Sequence, residues 1–245
     1  LGDVYKRQLW MNPDKELADV YLGTERTGAT VVNDARATAL DPQRHTVTVE
    51  GREISYGRLL LATGSRARRL PGQPESPRVL TLRETEDFVA LRSLVSEGTE
   101  VAVVGGGYIG SELAAGLCAV GAEVTLCFPD DKLLAHMLPD SIATHVSEVY
   151  GGKGITLESG FRAEKIDVAD PERPTVLAED GRTVIADVVV LALGAEPAVE
   201  LAADAGLETA AGGVRVDATM ATSAVDVWAA GDIAAFPDGL FGRRR

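Results

Sequence analysis

The stretch Val101–Gly110, Val-Ala-Val-Val-Gly-Gly-Gly-Tyr-Ile-Gly, constrains the fold more than any other part of the chain. Val101–Val104 is apolar and mostly β-branched, which suits a short buried strand. Gly105, Gly107 and Gly110 follow in G-x-G-x-x-G spacing, and Ser111–Val120 continues as an apolar, alanine-rich helical stretch. Glu123–Phe128 closes the unit as a second strand. Strand, glycine turn and helix in this order are the parts of a dinucleotide site. Gly105 permits the tight turn, Gly107 lets the backbone approach a pyrophosphate, and Gly110 lets helix and strand pack closely. The helix N-terminus presents unpaired N–H groups and a partial positive charge to the phosphates. Glycine turns are common, so the alternative reading of the spacing alone is a structural βαβ turn.

The rest of the composition narrows the class. A 245-residue chain, 45% hydrophobic and 25% charged, suits a soluble globular protein of one or two domains. No apolar run approaches the ~20 residues that span a bilayer. No leader with a basic start and apolar centre is present, so the cytoplasm is the expected compartment. The net charge of −13 and pI near 4.7 disfavour a nucleic-acid partner, which calls for a basic face. Cys118 and Cys127 read as ordinary buried thiols. His45, His136 and His145 are scattered and none pairs with cysteine at ligand spacing, so no metal site is expected.

Taken in order, Leu1–Gln8 has no place in the pattern and reads as a non-native leader, with an exposed N-terminal arm as the alternative. Trp10–Gly23 mixes a turn with an acidic helical stretch, and Thr30–Val32 reads as a strand. Ala35–Asp41 and Thr46–Glu50 flank the turn Pro42–His45 as a hairpin or meander, with Glu50–Glu53 as the next turn. The leucine run Arg58–Ala62 ends at Thr63-Gly64-Ser65, a glycine turn that brings backbone close to a ligand or another strand. After a Pro/Gly loop, Leu80–Ser96 has helical spacing. Arg83, at its start, reads from spacing alone as a solvated charge. A helix from Leu138 to about Tyr150 is broken by Gly151-Gly152, and Ile155–Glu158 is a strand. Strands follow at Phe161–Asp170, Thr175–Glu179 and Thr183–Asp187, then the continuously apolar Val188–Leu193, ended by Gly194. Val225–Ala229 is the last strand, and Ile233–Phe236 reads as helical. An acid about 20 residues beyond the glycines ordinarily takes the ribose hydroxyls of NAD. Here Phe128 fills that slot, Asp130 lies two residues on, and no arginine stands nearby for a 2′-phosphate, so NADH is favoured over NADPH.

Four motifs fall in one order: Ala62-Thr63-Gly64, Val103–Ala114, Leu193-Gly194-Ala195-Glu196-Pro197 and Val227-Trp228-Ala229-Ala230-Gly231-Asp232. This order resembles the FAD-dependent pyridine nucleotide oxidoreductases, the two-dinucleotide flavoproteins. The branch it resembles most holds apoptosis-inducing factor and the NADH–ferredoxin or rubredoxin reductases. Phe128-Pro129-Asp130, Met137-Leu138-Pro139-Asp140 and Phe241-Gly242-Arg243-Arg244-Arg245 point towards apoptosis-inducing factor within it.

The resemblance implies an α/β chain of two Rossmann-like domains in the three-layer ββα FAD/NAD(P)-binding fold. Residues 81–207 would form an NAD domain inserted into a partial FAD domain of residues 9–80 and 208–245. The family's first glycine fingerprint, expected before Trp10, is absent, so the chain is expected to be a fragment that holds no flavin stably. By the same resemblance Ala37, Ala62, Thr63, Gly64 and Asp232 match FAD contacts, and Arg83 matches an arginine that reaches the FAD. Gly105, Gly107, Tyr108, Ile109, Gly110, Asp130 and Gly194 match the NAD site, and Glu112 matches a glutamate near the nicotinamide. His136 stands where apoptosis-inducing factor has an NAD-binding lysine, a departure that leaves its role open.

The implied activity is hydride transfer from NADH to FAD, with electrons passing on to a ferredoxin- or rubredoxin-type protein, a quinone or oxygen. The cofactors carry the chemistry, so no catalytic residue is assigned. Two alternatives stay open: a disulfide reductase with redox cysteines upstream, and a nucleotide-sensing interaction protein like apoptosis-inducing factor.

Overall fold

The computed structural model describes residues 23–239 together with Arg243 and Arg244. Leu1–Gln8, the acidic stretch from Trp10 to Leu22, and Phe241-Gly242 lie outside the described residues. Two compact units form: Ala67–Gly194, and Gly23–Arg66 with Ala195–Arg245. In chain order the strands are β1 (Ala37–Asp41), β2 (Thr46–Val49), β3 (Arg52–Ser55), β4 (Leu59–Leu61), β5 (Ser65–Ala67) and β6 (Val79–Thr81). Helix α1 (Thr85–Leu94), β7 (Glu100–Val104), α2 (Tyr108–Ala119), β8 (Glu123–Cys127), α3 (Asp140–Gly152) and β9 (Thr156–Glu158) follow. Then come β10 (Ala163–Asp167), β11 (Thr175–Ala178), β12 (Thr183–Ile185), β13 (Val188–Leu191), β14 (Ala195–Pro197) and α4 (Glu200–Asp204). The last are β15 (Thr209–Ala210), β16 (Gly213–Arg215), β17 (Val227–Ala229), β18 (Ala234–Ala235) and the short antiparallel pair β19 (Pro237–Asp238) and β20 (Arg243–Arg244), so Val225–Ala229 is not the last strand.

The Ala67–Gly194 unit is built on a parallel sheet in the order β6-β13-β7-β8-β9. Both faces are covered, which is why β7 and β13 are apolar without alternation. Val101, Val103, Val124, Leu126, Val188 and Val190 pack on helical residues including Phe88, Leu91, Leu113 and Leu117. The intervening Ala102, Val104, Cys127, Val189 and Leu191 pack on Phe161, Ile166, Val176 and Ala178, which belong to or adjoin the antiparallel sheet β10-β11-β12. Helices, parallel sheet and antiparallel sheet thus make three layers, a Rossmann-like α/β arrangement of the expected ββα kind. The other unit carries the meander β1-β2-β3, the parallel pair β4-β17 and the small sheet β15-β16-β18. Its β2–β3 turn places Glu50 at φ 48° and Gly51 at φ 74°, as a two-residue hairpin turn requires.

Several local expectations change. Leu80–Ser96 is not helical throughout: Val79–Thr81 is a strand parallel to β13, and the helix begins at Thr85. Its start is fixed by a capping box in which Glu84 and Asp87 side chains accept each other's backbone N–H. That strand belongs to the parallel sheet, so the Ala67–Gly194 unit begins earlier in the chain than Thr81. Thr30–Val32 forms no strand, and Val32 is 70% exposed, with no described strand pairing there. Helix α3 runs through Gly151-Gly152 and stops at Lys153, where Gly154 takes φ 91°. Ile233–Phe236 is a single 3₁₀ turn, Gly231–Ile233, followed by β18, because Ala234-Ala235 pairs with β16.

Candidate dinucleotide site

The turn after β7 sits at the carboxyl edge of the parallel sheet. The chain leaves β7 towards β8 and β9 on one side and returns to β13 on the other, so the turn lies at the sheet's switch point. Crevices at such points are where open α/β sheets take ligands. The glycines there do different jobs. Gly105 has φ 123°, and a Cβ on it would lie 2.2 Å from the Ala192 carbonyl oxygen. A Cβ on Gly110 would lie 1.8 Å from the Gly105 carbonyl oxygen, so helix α2 can only seat against the strand through a bare backbone. A Cβ on Gly107 would meet nothing within 4 Å. No part of the described chain needs that space, and Gly107 has an ordinary φ of −85°. An open approach to the first turn of a helix, with no side chain capping it among the described residues, fits a pyrophosphate.

The neighbours complete this edge. Tyr108 is 65% exposed, Ile109 packs partly into the core, and Glu112 is half-buried on α2. The first turn is held by Ser111 Oγ donating to the Tyr108 carbonyl and by Tyr150 Oη donating to the Ser111 carbonyl. Asp130 follows β8, where its carboxylate Oδ2 lies 2.9 Å from His136 Nδ1. Gly194, at φ 88°, follows β13 and accepts from Arg68 N–H through its carbonyl. Gly105–Gly110, Asp130 and Gly194 therefore follow the carboxyl ends of three adjacent parallel strands. Arg83 lies in the same unit, just after β6, with its backbone N–H donating to Asp87.

Phe128 is 1% exposed, and a Cβ on Gly106 would lie 2.7 Å from the Phe128 Cβ. Gly106, which occupies a variable place in the spacing, is thus sterically constrained as Gly105 and Gly110 are, and unlike Gly107. Phe128 is a packing residue against the turn. Cys127 is fully buried at the end of β8, and burial pushes its thiol up to about 12. It is free, as is Cys118, so neither forms a disulfide. Among the described residues no group of three or more His, Cys, Asp or Glu side chains is placed to hold a metal ion.

The other unit carries a second constellation. Ala62-Thr63-Gly64 follows β4 and Ala230-Gly231-Asp232 follows the parallel β17, with Gly64 at φ 67° and Gly231 at φ 75°. Ala230 N–H donates to the Leu61 carbonyl. Ser65 Oγ donates to Asp232 Oδ2 at 2.6 Å, and Ser65 is buried. Thr63 Oγ donates to the Ala198 carbonyl, and Ala198 N–H donates back to the Gly64 carbonyl. Ala37 stands apart, opening β1 next to a register irregularity. Little in the sequence marks Ser65. Its one signal there was its place directly after Thr63-Gly64.

A family model described as pyridine nucleotide-disulphide oxidoreductase matches residues 10–244. The chain belongs to that family. Among members of known sequence, it is 39% identical over 211 residues to the biphenyl dioxygenase system ferredoxin–NAD(+) reductase component of Paraburkholderia xenovorans. That match covers 85% of this chain and 51% of the relative. Monodehydroascorbate reductase 5 of rice is 32% identical over 223 residues, covering 89% of this chain and 45% of the relative. Among solved structures, the ferredoxin reductase for the CYP199A2 system of Rhodopseudomonas palustris superposes with a TM-score of 0.83 at 34% identity. It covers 91% of this chain and 56% of that structure. The chain therefore spans about half the length of the relatives it matches. Among the described residues, no helix of this family member is long and apolar enough to cross a membrane.

Proposed function

We propose that the protein acts as an FAD-dependent NAD(H) oxidoreductase that passes electrons from NADH to a ferredoxin- or rubredoxin-type acceptor. The observation that carries this is the open first turn of α2 at Gly107, flanked by Gly105 and Gly110, which the fold itself forces to be glycine. The Ala67–Gly194 unit would hold the coenzyme. Backbone N–H groups of Tyr108, Ile109 and Gly110 would take the pyrophosphate, and Asp130 the adenosine ribose. Glu112 and Gly194 would border the nicotinamide end.

In the other unit the residues present fit part of an FAD cradle. The Asp232 carboxylate, held by Ser65 at the end of β17, suits a polyhydroxyl chain, since it accepts hydroxyl hydrogen bonds. Ala62-Thr63-Gly64 would lie beside the FAD pyrophosphate and Ala37 at the adenine. Bound FAD supplies the step from two-electron hydride acceptance to one-electron release. The protein residues bind and orient, and none is assigned as acid, base or nucleophile. The ferredoxin–NAD(+) reductase names of the bacterial relatives support the choice of acceptor.

A titration with NADH and NADPH, together with steady-state NADH oxidation by the full-length protein using ferredoxin and quinone acceptors, tests this. Tighter NADH binding and turnover with ferredoxin are expected. Equal affinities remove the argument from Asp130, and near-zero turnover with every acceptor favours a nucleotide-sensing module instead.

A further inference from the structure

The loop from Phe128 to Met137 contains a contact that neither the fold nor hydride transfer requires. His136 Nδ1 lies 2.9 Å from Asp130 Oδ2, with the side chains 55% and 35% exposed respectively. The loop is not free to place these groups anywhere. Phe128 and Leu133 are buried where a Cβ on Gly106 would press on both, and Leu133 N–H donates to Ser147 Oγ on α3. Gly160 N–H donates to the Asp130 carbonyl. The backbone that carries the pair is therefore anchored after β8, with Phe128 and Leu133 packed against Gly106 of the glycine turn.

We infer that the Asp130–His136 pair makes the coenzyme choice of this site depend on pH: neutral His136 keeps it selective for NAD, and protonated His136 admits the 2′-phosphate of NADP. The inference rests on the reading that Asp130 lies at the adenosine ribose. A carboxylate is an acceptor only, so neutral His136 must donate from Nδ1 and present a lone pair at Nε2. The remaining oxygen of Asp130 is then left for a ribose hydroxyl, and a phosphate meets one negative charge and one lone pair. Proton uptake at Nε2 turns the lone pair into a charged donor and cancels the charge of Asp130. A phosphate at the 2′ position then meets a donor in place of two repulsive groups.

Other ionisable groups on the elements packed around this loop do not offer the same switch. Asp131 is on the loop itself, and Lys132 is ion-paired with Asp140. Helix α3 carries Asp140, His145 and Glu148, and α2 carries Glu112. The stretch around Gly160 carries Arg162 and Glu158, the latter paired with Arg182. Histidine is the residue type suited to a charge switch near neutral pH, and His145 on α3 serves as the control for His136.

The test is calorimetric titration of the protein with NAD⁺ and NADP⁺, which survive acid, at pH 8 and pH 5.5. The Kd ratio of NADP⁺ to NAD⁺ is expected to fall about tenfold more in the wild type than in His136→Gln, the effect of one partly exposed charge. The residual change in His136→Gln reports the ionisation of the phosphate itself, near pH 6. His136→Lys should show the low ratio at both pH values, and His145→Gln should track the wild type. The inference is overturned if His136→Gln and the wild type give the same ratio at both pH values. If Asp130→Asn leaves NAD⁺ affinity unchanged, the reading of Asp130 fails first, and the inference falls with it.

Discussion

Two alanine substitutions three residues apart should have opposite consequences. In Gly110→Ala the new methyl would sit 1.8 Å from the Gly105 carbonyl oxygen and 3.3 Å from the Ala192 Cβ. The nearest atom is backbone, in a turn whose Gly105 N–H is already bonded to the Cys127 carbonyl at 2.8 Å, so it has nowhere to give. Helix α2 must move off the sheet, stripping contacts from Leu113 and Leu117, both buried against it. The cost should reach the upper range for overpacking, about 3 kcal/mol or more. In Gly107→Ala the methyl meets nothing, and the φ of −85° suits alanine. Alanine is a poorer N-cap than glycine but restricts the unfolded chain, so stability should change by less than about 1 kcal/mol. The same methyl projects where the pyrophosphate would approach, and NAD⁺ affinity should fall at least about tenfold, or 1.4 kcal/mol. Urea unfolding followed by circular dichroism gives the first quantity, and calorimetric titration the second. Wild-type coenzyme affinity in Gly107→Ala, or a wild-type urea midpoint in Gly110→Ala, would refute the division of roles among the glycines.

Restoring an acid at the place where such turns usually carry one should fail here. Phe128→Glu removes a buried ring and leaves a carboxylate against Gly106, which should cost about 3 kcal/mol or more in urea unfolding. Coenzyme affinity should not rise; a stable variant with tighter NAD⁺ binding would contradict the packing role. Cys127 should resist thiol reagents in the folded protein at pH 8, where a thiol pushed to about 12 is ionised in about one molecule in ten thousand. Labelling at Cys127 as fast as in urea would refute this. Because its folded value is raised, Cys127 supports the fold fully below the unfolded thiol pKa of about 9 and loses that contribution as pH climbs from there towards 12. Cys127→Ala should flatten the alkaline fall in stability, and an unchanged pH profile would count against it.

The βαβ element and the roles of Gly105 and Gly110 were legible in the sequence because they are local. Four apolar residues, three glycines at fixed spacing and an alanine-rich run decide them within twenty residues or so of chain. The hairpin of β1 and β2 was legible for the same reason. The strand β6 was not, since three residues carry no period and its partner β13 lies far along the chain. Helix α3 takes in its two exposed glycines as its last residues instead of stopping before them, and Ala234-Ala235 became a strand because β16 was beside it. The glycine turn and the position of Asp130 after the second strand were legible in the sequence, while nothing there marked Gly106, and Phe128 stood only as the residue in the usual acidic slot. Only tertiary structure set one against the other, and only it joined Ser65 to Asp232 and His136 to Asp130. Backbone geometry is written in neighbouring residues, while the partner of a side chain depends on which distant strand ends the fold brings together.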